Sequence, residues 1–221
     1  MTESHRHYIP AAGHDLLLPL YDPLVKLAMR DEKTRGALLA SAGLRAGMRV
    51  LDLGCGTGAT SLLLKQREPG LEVTGLDPDP KALARASDKA ARAGLEIRFE
   101  RGFGDAIPHA DASFERVVSS LMLHHLTRDE KRATFAEVRR VLVPGGSLHV
   151  LDFGPPRSRL DRALTWLIHH GHRIEDNLEG RLPGLMQGAG LVDARELEGI
   201  RTAFGCLALY RAARSAELAR G

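Results

Sequence analysis

A glycine-rich turn directly after a short apolar segment is the feature that most restricts how this chain folds. Residues 49–53 are predicted to form a buried strand, and Gly54, Gly56 and Gly58 follow at once. Good helix formers then occupy residues 59–65. A strand, a glycine turn and a helix in this order present free backbone N–H groups at the carboxyl edge of a parallel sheet. We therefore predict a ligand site at this turn.

The rest of the chain alternates short strand-like segments with longer helical ones, which is typical of a parallel sheet with crossover helices. Further strands are predicted at 72–77, 97–100, 114–120 and 147–152, and helices near 81–92, 128–142, 160–170 and 182–187. The break signal Pro144-Gly145-Gly146 is predicted to end the helix before the fifth strand. Two late strands, near 194–197 and 204–210, predict a terminal hairpin. The fold class is therefore α/β, with a single doubly wound, mostly parallel, seven-stranded Rossmann-like sheet and an antiparallel C-terminal strand.

We expect one compact domain with a helical segment in front of it. Residues 45–221 are predicted to form the ligand-binding domain, and residues 1–44 an N-terminal segment. An amphipathic stretch near 23–40 is predicted to pack over the ligand edge of the sheet as a helical lid.

Charge and cysteine content narrow the partners. The formal net charge is +3, but the Arg and Lys side chains are scattered among acidic ones, whereas phosphate binding requires clustered basic faces. The two cysteines have no metal-ligand spacing around them, and no apolar run reaches the ~20 residues that span a bilayer. We predict a cytoplasmic protein that acts on a small molecule, without nucleic acid, membrane or metal. Composition leaves monomer and homodimer both open.

The glycine spacing alone is compatible with two kinds of cofactor. Gly54, Gly56 and Ala59 satisfy the looser dinucleotide fingerprint, and Asp77 follows about 20 residues later, where an acid accepts the hydroxyls of a ribose. This pattern fits an NAD-dependent oxidoreductase. Such an enzyme would need its own catalytic side chains, such as a Tyr/Lys pair, and the chain has no Tyr-x-x-x-Lys motif.

The amino-acid sequence of the turn favours one of these two kinds of cofactor. The segment Leu51–Gly58 resembles the first motif of the class I S-adenosylmethionine-dependent methyltransferases, and within that family the chain leans toward the type 11 group and the quinone-biosynthesis C-methyltransferases. Further segments resemble later motifs of the family in the same order: Asp77-Pro78, Gly104-Asp105-Ala106, residues 117–121 with 123–126, and residues 140–146. The resemblance is strongest over residues 45–155.

The resemblance implies S-adenosyl-L-methionine as the cofactor, S-adenosyl-L-homocysteine as its product, and a set of binding residues. Asp77 is expected at the ribose and Asp105 at the adenine amino group. For Asp52, bonding to the backbone of the turn and contact with the cofactor both stay open, and Asp77 has the alternative of an acid at a helix start. The full predicted set is Asp52, Gly54, Cys55, Gly56, Thr57, Gly58, Asp77, Pro78, Asp105, Ala106, Ser120, Leu121 and Tyr21.

Two histidines after the fourth strand are the candidate catalytic residues. A base is needed only if the acceptor must lose a proton, and histidine suits that role near neutral pH. His124 and His125 follow the strand directly, so one of them is expected to face the acceptor; the alternative is that both merely begin a helix. Like Tyr21, His14 resembles a lid position. The histidines of the variable segment, His169, His170 and His172, are expected to shape the acceptor pocket.

The acceptor is narrowed only to a class. No Asn/Asp-Pro-Pro-Tyr word follows the fourth strand, so methylation of nucleic-acid amino groups is disfavoured. Carbon, oxygen or nitrogen methylation of a small molecule remains, with an aromatic or quinone-like acceptor as one candidate. Rival interpretations are the NAD-dependent oxidoreductase, a non-catalytic S-adenosylmethionine-binding protein and an RNA methyltransferase, of which the last would show steeply salt-dependent RNA binding.

Overall fold

The computed structural model describes residues 31–158, 161–162, 173–202 and 205–216. The helices are α1 Asp31–Ala42, α2 Ala59–Arg67, α3 Pro80–Arg92, α4 Arg128–Val141, α5 Glu175–Leu178 and α6 Leu182–Gly188. The strands are β1 Arg49–Leu53, β2 Glu72–Asp77, β3 Arg98–Arg101, β4 Phe114–Ser120, β5 Leu142–Phe153, β6 Val192–Thr202 and β7 Gly205–Ala213. None of the helices in this described part is long and apolar enough to cross a membrane.

The strands form one seven-stranded sheet in the order β3-β2-β1-β4-β5-β7-β6. Strands β1 to β5 run parallel to one another, and β7 runs antiparallel to both of its neighbours, β5 and β6. The predicted sheet and its terminal hairpin are therefore confirmed. The strand order reverses between β1 and β4, and ligands of open α/β sheets bind at the carboxyl ends of the strands beside such a reversal.

The helix starts differ in a way that matters for this edge of the sheet. Helix α4 begins with a capping box, in which Thr127 and Glu130 satisfy each other's backbone N–H groups, and Asp79 caps α3 by accepting the N–H of Lys81. Helix α2 follows Gly58 and receives no side-chain cap from the residues that the structure describes. Its first N–H groups are therefore the ones available to a ligand.

Two apolar clusters cover the two faces of the sheet. One joins the sheet to α4 and α6, with Phe135, Val138 and Leu182 fully or almost fully buried. The other joins the opposite face to α1, where Leu38 and Leu39 pack in one cluster with strand residues. Residues 31–42, which belong to the predicted lid, therefore form a helix that packs Leu38 and Leu39 on this face of the sheet. The earlier part of the lid, including Tyr21 and His14, lies outside the described residues.

Strand β5 begins at Leu142, five residues before its predicted start. Helix α4 ends at Val141, one residue before its predicted end, but Pro144-Gly145-Gly146 do not separate it from β5, because these residues form an irregularity inside the strand. The register with β4 shifts between Phe114 and Arg116, and Gly145 takes a φ of 77° that favours glycine. Arg214 secures this point, since its carbonyl accepts the Gly145 N–H at 3.1 Å and its own N–H bonds Gly146 at 2.9 Å.

A buried histidine inside β5 predicts acid sensitivity of the fold. The ring nitrogens of His149 lie 2.9 Å from the hydroxyls of Ser41 and Ser147, and its side chain is buried. Burial, with Arg116 and Arg211 nearby, lowers the pKa of His149 to about 3. The unfolded chain therefore takes up a proton at this histidine below pH ~6.5 while the folded chain does not, so stability is present above that pH and is lost as the pH falls.

We expect the free energy of unfolding to fall by about 2–3 kcal/mol from this residue between pH 7 and pH 4, measured by urea titration. The control is His149→Gln, whose stability should fall less over the same range. Equal losses in the two proteins would contradict the assignment to His149.

Candidate active site

A cavity of about 640 Å³ opens at the carboxyl ends of β1, β2 and β4, beside the reversal of strand order. This volume is within the range typical of small-molecule sites. Its walls come from the glycine turn, the end of β2, the loop after β3, the end of β4 and the start of α4. The cavity therefore lies where the sequence predicted a ligand.

The three glycines of the turn serve different purposes. All three have positive φ angles, but a Cβ on Gly54 would lie 2.3 Å from the Met122 side chain, and one on Gly58 would lie 2.9 Å from Ala86. Both glycines are therefore required by packing. A Cβ on Gly56 would meet no atom of the described residues within 4 Å. Gly56 thus leaves its stretch of cavity wall free for a ligand that approaches the backbone.

A carboxylate from the next strand holds this turn. Asp77, at the end of β2, accepts the N–H of Gly56 at 2.8 Å and the N–H of Asp79 at 2.9 Å. Burial raises the pKa of Asp77, against these two donors that stabilise its charged form. Asp77 lines the cavity, so its carboxyl connects the shape of the glycine turn to whatever binds beside it.

Most of the predicted cofactor-binding residues line this cavity. They are Gly54, Cys55, Gly56, Thr57, Asp77, Pro78, Asp105, Ser120 and Leu121. Burial raises the pKa of the Cys55 thiol, which is therefore neutral. Leu121 has a positive φ of 57°, an uncommon backbone conformation for a branched residue, at the point where β4 enters the cavity wall.

Three of the predicted residues do not line the cavity. Gly58 packs against α3, and Ala106 is exposed beyond a short bridge to Phe103. Asp52 is buried inside β1, where one carboxyl oxygen accepts the Ser61 hydroxyl at 2.5 Å and the other has no hydrogen-bond partner among the described residues. Asp52 therefore lies under the turn, and its burial raises the pKa of the carboxyl to about 6. Tyr21, also predicted to bind the cofactor, lies outside the described residues.

The two candidate catalytic histidines separate in the structure. They lie in a short 3₁₀ turn at Leu123–His125, and His125 lines the cavity. Burial and the neighbouring His124 lower the pKa of His125 to about 4, so its imidazole is neutral at pH 7. His124 does not line the cavity and instead bonds Asp152 through Nδ1 at 2.8 Å. The structure therefore does not support His124 as a base that touches the acceptor.

Sequence reasoning missed part of the cavity wall. Arg35 of α1 reaches the cavity and bonds the hydroxyls of Thr60 and Ser120. Arg173, which precedes α5, also lines the cavity. Glu130 lines the cavity and takes part in the capping box of α4. The capping-box spacing could have located Glu130 at a helix start. No local signal marks the two arginines, since they come from distant parts of the sequence.

The described residues show no cluster of three or more His, Cys, Asp or Glu side chains that could hold a metal ion. Histidines 169, 170 and 172 lie outside those residues.

Comparison with known proteins agrees with this geometry. Residues 50–146 match a family described as a methyltransferase domain. The chain is 40% identical over 142 residues to a demethylmenaquinone methyltransferase of Thermus thermophilus, covering 63% of this chain and 64% of the relative. It is 38% identical over 146 residues to the protein of the same name from Deinococcus radiodurans, covering 65% and 60%. The chain thus spans less than two thirds of these curated relatives.

A solved structure extends the likeness to the fold. Phosphoethanolamine N-methyltransferase 2 of Haemonchus contortus, in complex with S-adenosyl-L-methionine, superimposes with a TM-score of 0.67. The match covers 83% of this chain and 52% of that chain at 17% identity. It supports a common fold.

Proposed function

We propose that this chain, whose residues 50–146 match a methyltransferase domain, is a class I S-adenosylmethionine-dependent methyltransferase and transfers a methyl group from S-adenosylmethionine to a small aromatic acceptor that bears a hydroxyl group. The proposal rests chiefly on the cavity wall at Gly56, which no described side chain obstructs and which lies beside the Asp77 carboxyl. The neutral imidazole of His125 lines the same cavity.

The residues present fit this cofactor. The cavity combines an uncapped helix start, a glycine without obstruction and carboxyl groups at Asp77 and Asp105. Carboxylates accept the hydrogen bonds that ribose hydroxyls and an adenine amino group donate. When bound, S-adenosylmethionine supplies an electrophilic methyl group on a positively charged sulfur.

We assign Asp77 to the ribose and Asp105 to the adenine amino group. Arg35 is assigned to the methionine carboxylate, because its guanidinium lies between the first turn of α2 and the end of β4, bonded to Thr60 and Ser120. A planar cation in this position suits a carboxylate. Asp52 is not given a direct contact, since its carboxyl lies below the wall.

The chain's own contribution to the reaction is alignment, exclusion of water and removal of one proton. Methyl transfer requires the acceptor atom, the methyl carbon and the sulfur to lie in line, so holding the acceptor provides much of the rate. His125 is neutral at pH 7, so its ring can accept a hydrogen bond from the acceptor hydroxyl. Negative charge that develops on the acceptor oxygen raises the pKa of the ring and allows it to take the proton. Arg173 lies at the same wall, where its positive charge favours an acceptor oxygen that becomes anionic.

The acceptor class rests on the apolar part of the cavity lining and on the relatives. Met122, Leu126 and Phe103 supply apolar surface to the cavity that His125 also lines, which suits an aromatic ring. The two relatives described above are named for the methylation of demethylmenaquinone. We propose a hydroquinone-like acceptor and methylation at a ring carbon beside the hydroxyl. Nothing in the site or the comparisons favours the oxidoreductase or the non-catalytic interpretation.

The proposal is tested by incubating the protein with methyl-labelled S-adenosylmethionine and 1,4-naphthohydroquinone under reducing conditions, and by locating the label in the product. Ring-carbon methylation supports the proposal. Transfer to oxygen would retain the enzyme class and overturn the carbon assignment, and absence of transfer across a panel of aromatic hydroxyl compounds would overturn the acceptor class.

A smaller test addresses the ribose. We expect Asp77→Asn to weaken binding of S-adenosylhomocysteine by on the order of 1–3 kcal/mol, because one charged acceptor is lost, as measured by calorimetry. Asp111→Asn is the matched control, since Asp111 is an exposed acid away from the cavity. Equal affinity in all three proteins would remove Asp77 from the site.

A further inference from the structure

A fully buried carboxylate lies under the turn that carries His125. Asp152, near the end of β5, accepts the backbone N–H of Leu123 at 2.8 Å through one oxygen. Its other oxygen accepts from the His124 ring at 2.8 Å and from the Phe153 N–H at 2.7 Å. Asp152 itself does not line the cavity. It therefore holds the beginning of the turn through the backbone and the middle of the turn through a side chain.

This carboxylate is charged in spite of its burial. Burial raises the pKa of Asp152, but His124 and the two backbone donors outweigh that effect and leave the pKa below its usual value. An ionised carboxylate only accepts hydrogen bonds, so the facing Nδ1 of His124 must carry a hydrogen. A buried charge is costly unless it is fully paired, and an apolar side chain would close this end of the sheet at lower cost.

The His124 ring transmits this fixed geometry to the cavity. It stands edge-on against Phe153, with centroids 5.0 Å apart at 84°, and lies against the His125 ring at 4.0 Å and 45°. From outside the turn, Arg173 donates to the His125 carbonyl at 2.9 Å. The His125 side chain is thus supported on one side by a ring whose own orientation is set by Asp152.

We propose that Asp152 and His124 are positioning residues that hold the His125 imidazole toward the acceptor. The inference rests on the proposed function, in which His125 is the base. The hydrogen bond from His124 Nδ1 to Asp152 is the essential element, and the remaining packing of the ring supports it.

Two substitutions separate the hydrogen bond from the ring. His124→Phe keeps an aromatic ring against Phe153 and His125 but removes the donor to Asp152. His124→Asn loses the ring, but its side-chain amide can place an N–H where Nδ1 was. We expect His124→Phe to lower kcat with 1,4-naphthohydroquinone about tenfold or more while KM for S-adenosylmethionine stays within about twofold, because Asp152 no longer fixes the ring. His124→Asn keeps the donor but loses the ring against His125, so its kcat should fall at least as far. Unchanged kcat in either variant would overturn the inference.

A spectroscopic measurement covers the case in which a variant does not fold. In protein labelled with ¹⁵N-histidine, long-range ¹H–¹⁵N spectra report which ring nitrogens carry hydrogen, and His124→Asn and His125→Ala assign the two rings. We expect Nδ1 of His124 to be protonated at pH 7 in the unsubstituted protein, and Asp152→Asn to shift both rings. A His124 ring protonated only at Nε2, or a His125 ring unmoved by Asp152→Asn, would overturn the inference.

This measurement needs neither donor nor acceptor. Failure of the proposed function would appear as an absence of methyl transfer by the unsubstituted protein. Failure of the positioning role would instead appear as the wrong ring state of His124, or as a His125 ring that does not respond to Asp152.

Discussion

Gly56→Val is expected to abolish measurable binding of S-adenosylmethionine, a loss on the order of 100-fold or more in affinity. Gly56 is the glycine of the turn at which a Cβ meets open space at the cavity wall, so a branched side chain would occupy the path of the ligand. The measurement is calorimetric titration, with circular dichroism to show that the fold is retained.

The substitution also strains the backbone, and a second glycine isolates that effect. Gly43 has a φ of 56°, close to the 52° of Gly56, and it also has nothing within 4 Å of a built Cβ. It is exposed at the end of α1 and does not line the cavity. Gly43→Val should therefore carry similar strain and bind normally. Similar losses in both variants would show that strain, and not obstruction, accounts for the effect.

His125→Ala is expected to lower kcat by about 10²–10³-fold on the hydroquinone acceptor while leaving the affinity for S-adenosylhomocysteine within about twofold. The reason is that His125 lines the cavity as a neutral imidazole, whereas the residues assigned to the cofactor lie on other elements. Steady-state kinetics and calorimetry on the same preparation measure both quantities.

His109→Gln is the matched control, because His109 is a partly buried histidine at the opposite end of the sheet, beside Phe114. It should retain kcat. If His125→Ala retained kcat as well, the acceptor would need no base from this residue, and the positioning role of Asp152 and His124 would lose its purpose.

The fold was accessible from sequence because its strands are short apolar runs with clear ends. The bounds of β1, β2 and β4 agree with the prediction; a glycine turn follows β1, and the acid Asp77 ends β2. The start of β5 was not accessible. Pro144-Gly145-Gly146 reads as a break, and only pairing with β4 and with residues after β7 shows that a strand continues through it.

The site was predictable where it depends on local spacing and not where it depends on tertiary contact. The glycine turn and Asp77 are found from their order along the chain. Arg35 bonds a residue 85 positions away, so no local pattern could indicate it. The different roles of Gly54, Gly56 and Gly58 could not be predicted from sequence either, because they depend on which side chains pack against each glycine.

The central claim is that the cavity binds S-adenosylmethionine and not a nicotinamide cofactor. The most direct test is calorimetric titration of the purified protein against S-adenosylmethionine, S-adenosylhomocysteine and NAD in parallel. We expect binding of the first two with dissociation constants on the order of micromolar, and no heat from NAD. Binding of NAD alone would contradict the account and would assign the glycine turn and Asp77 to hydride transfer.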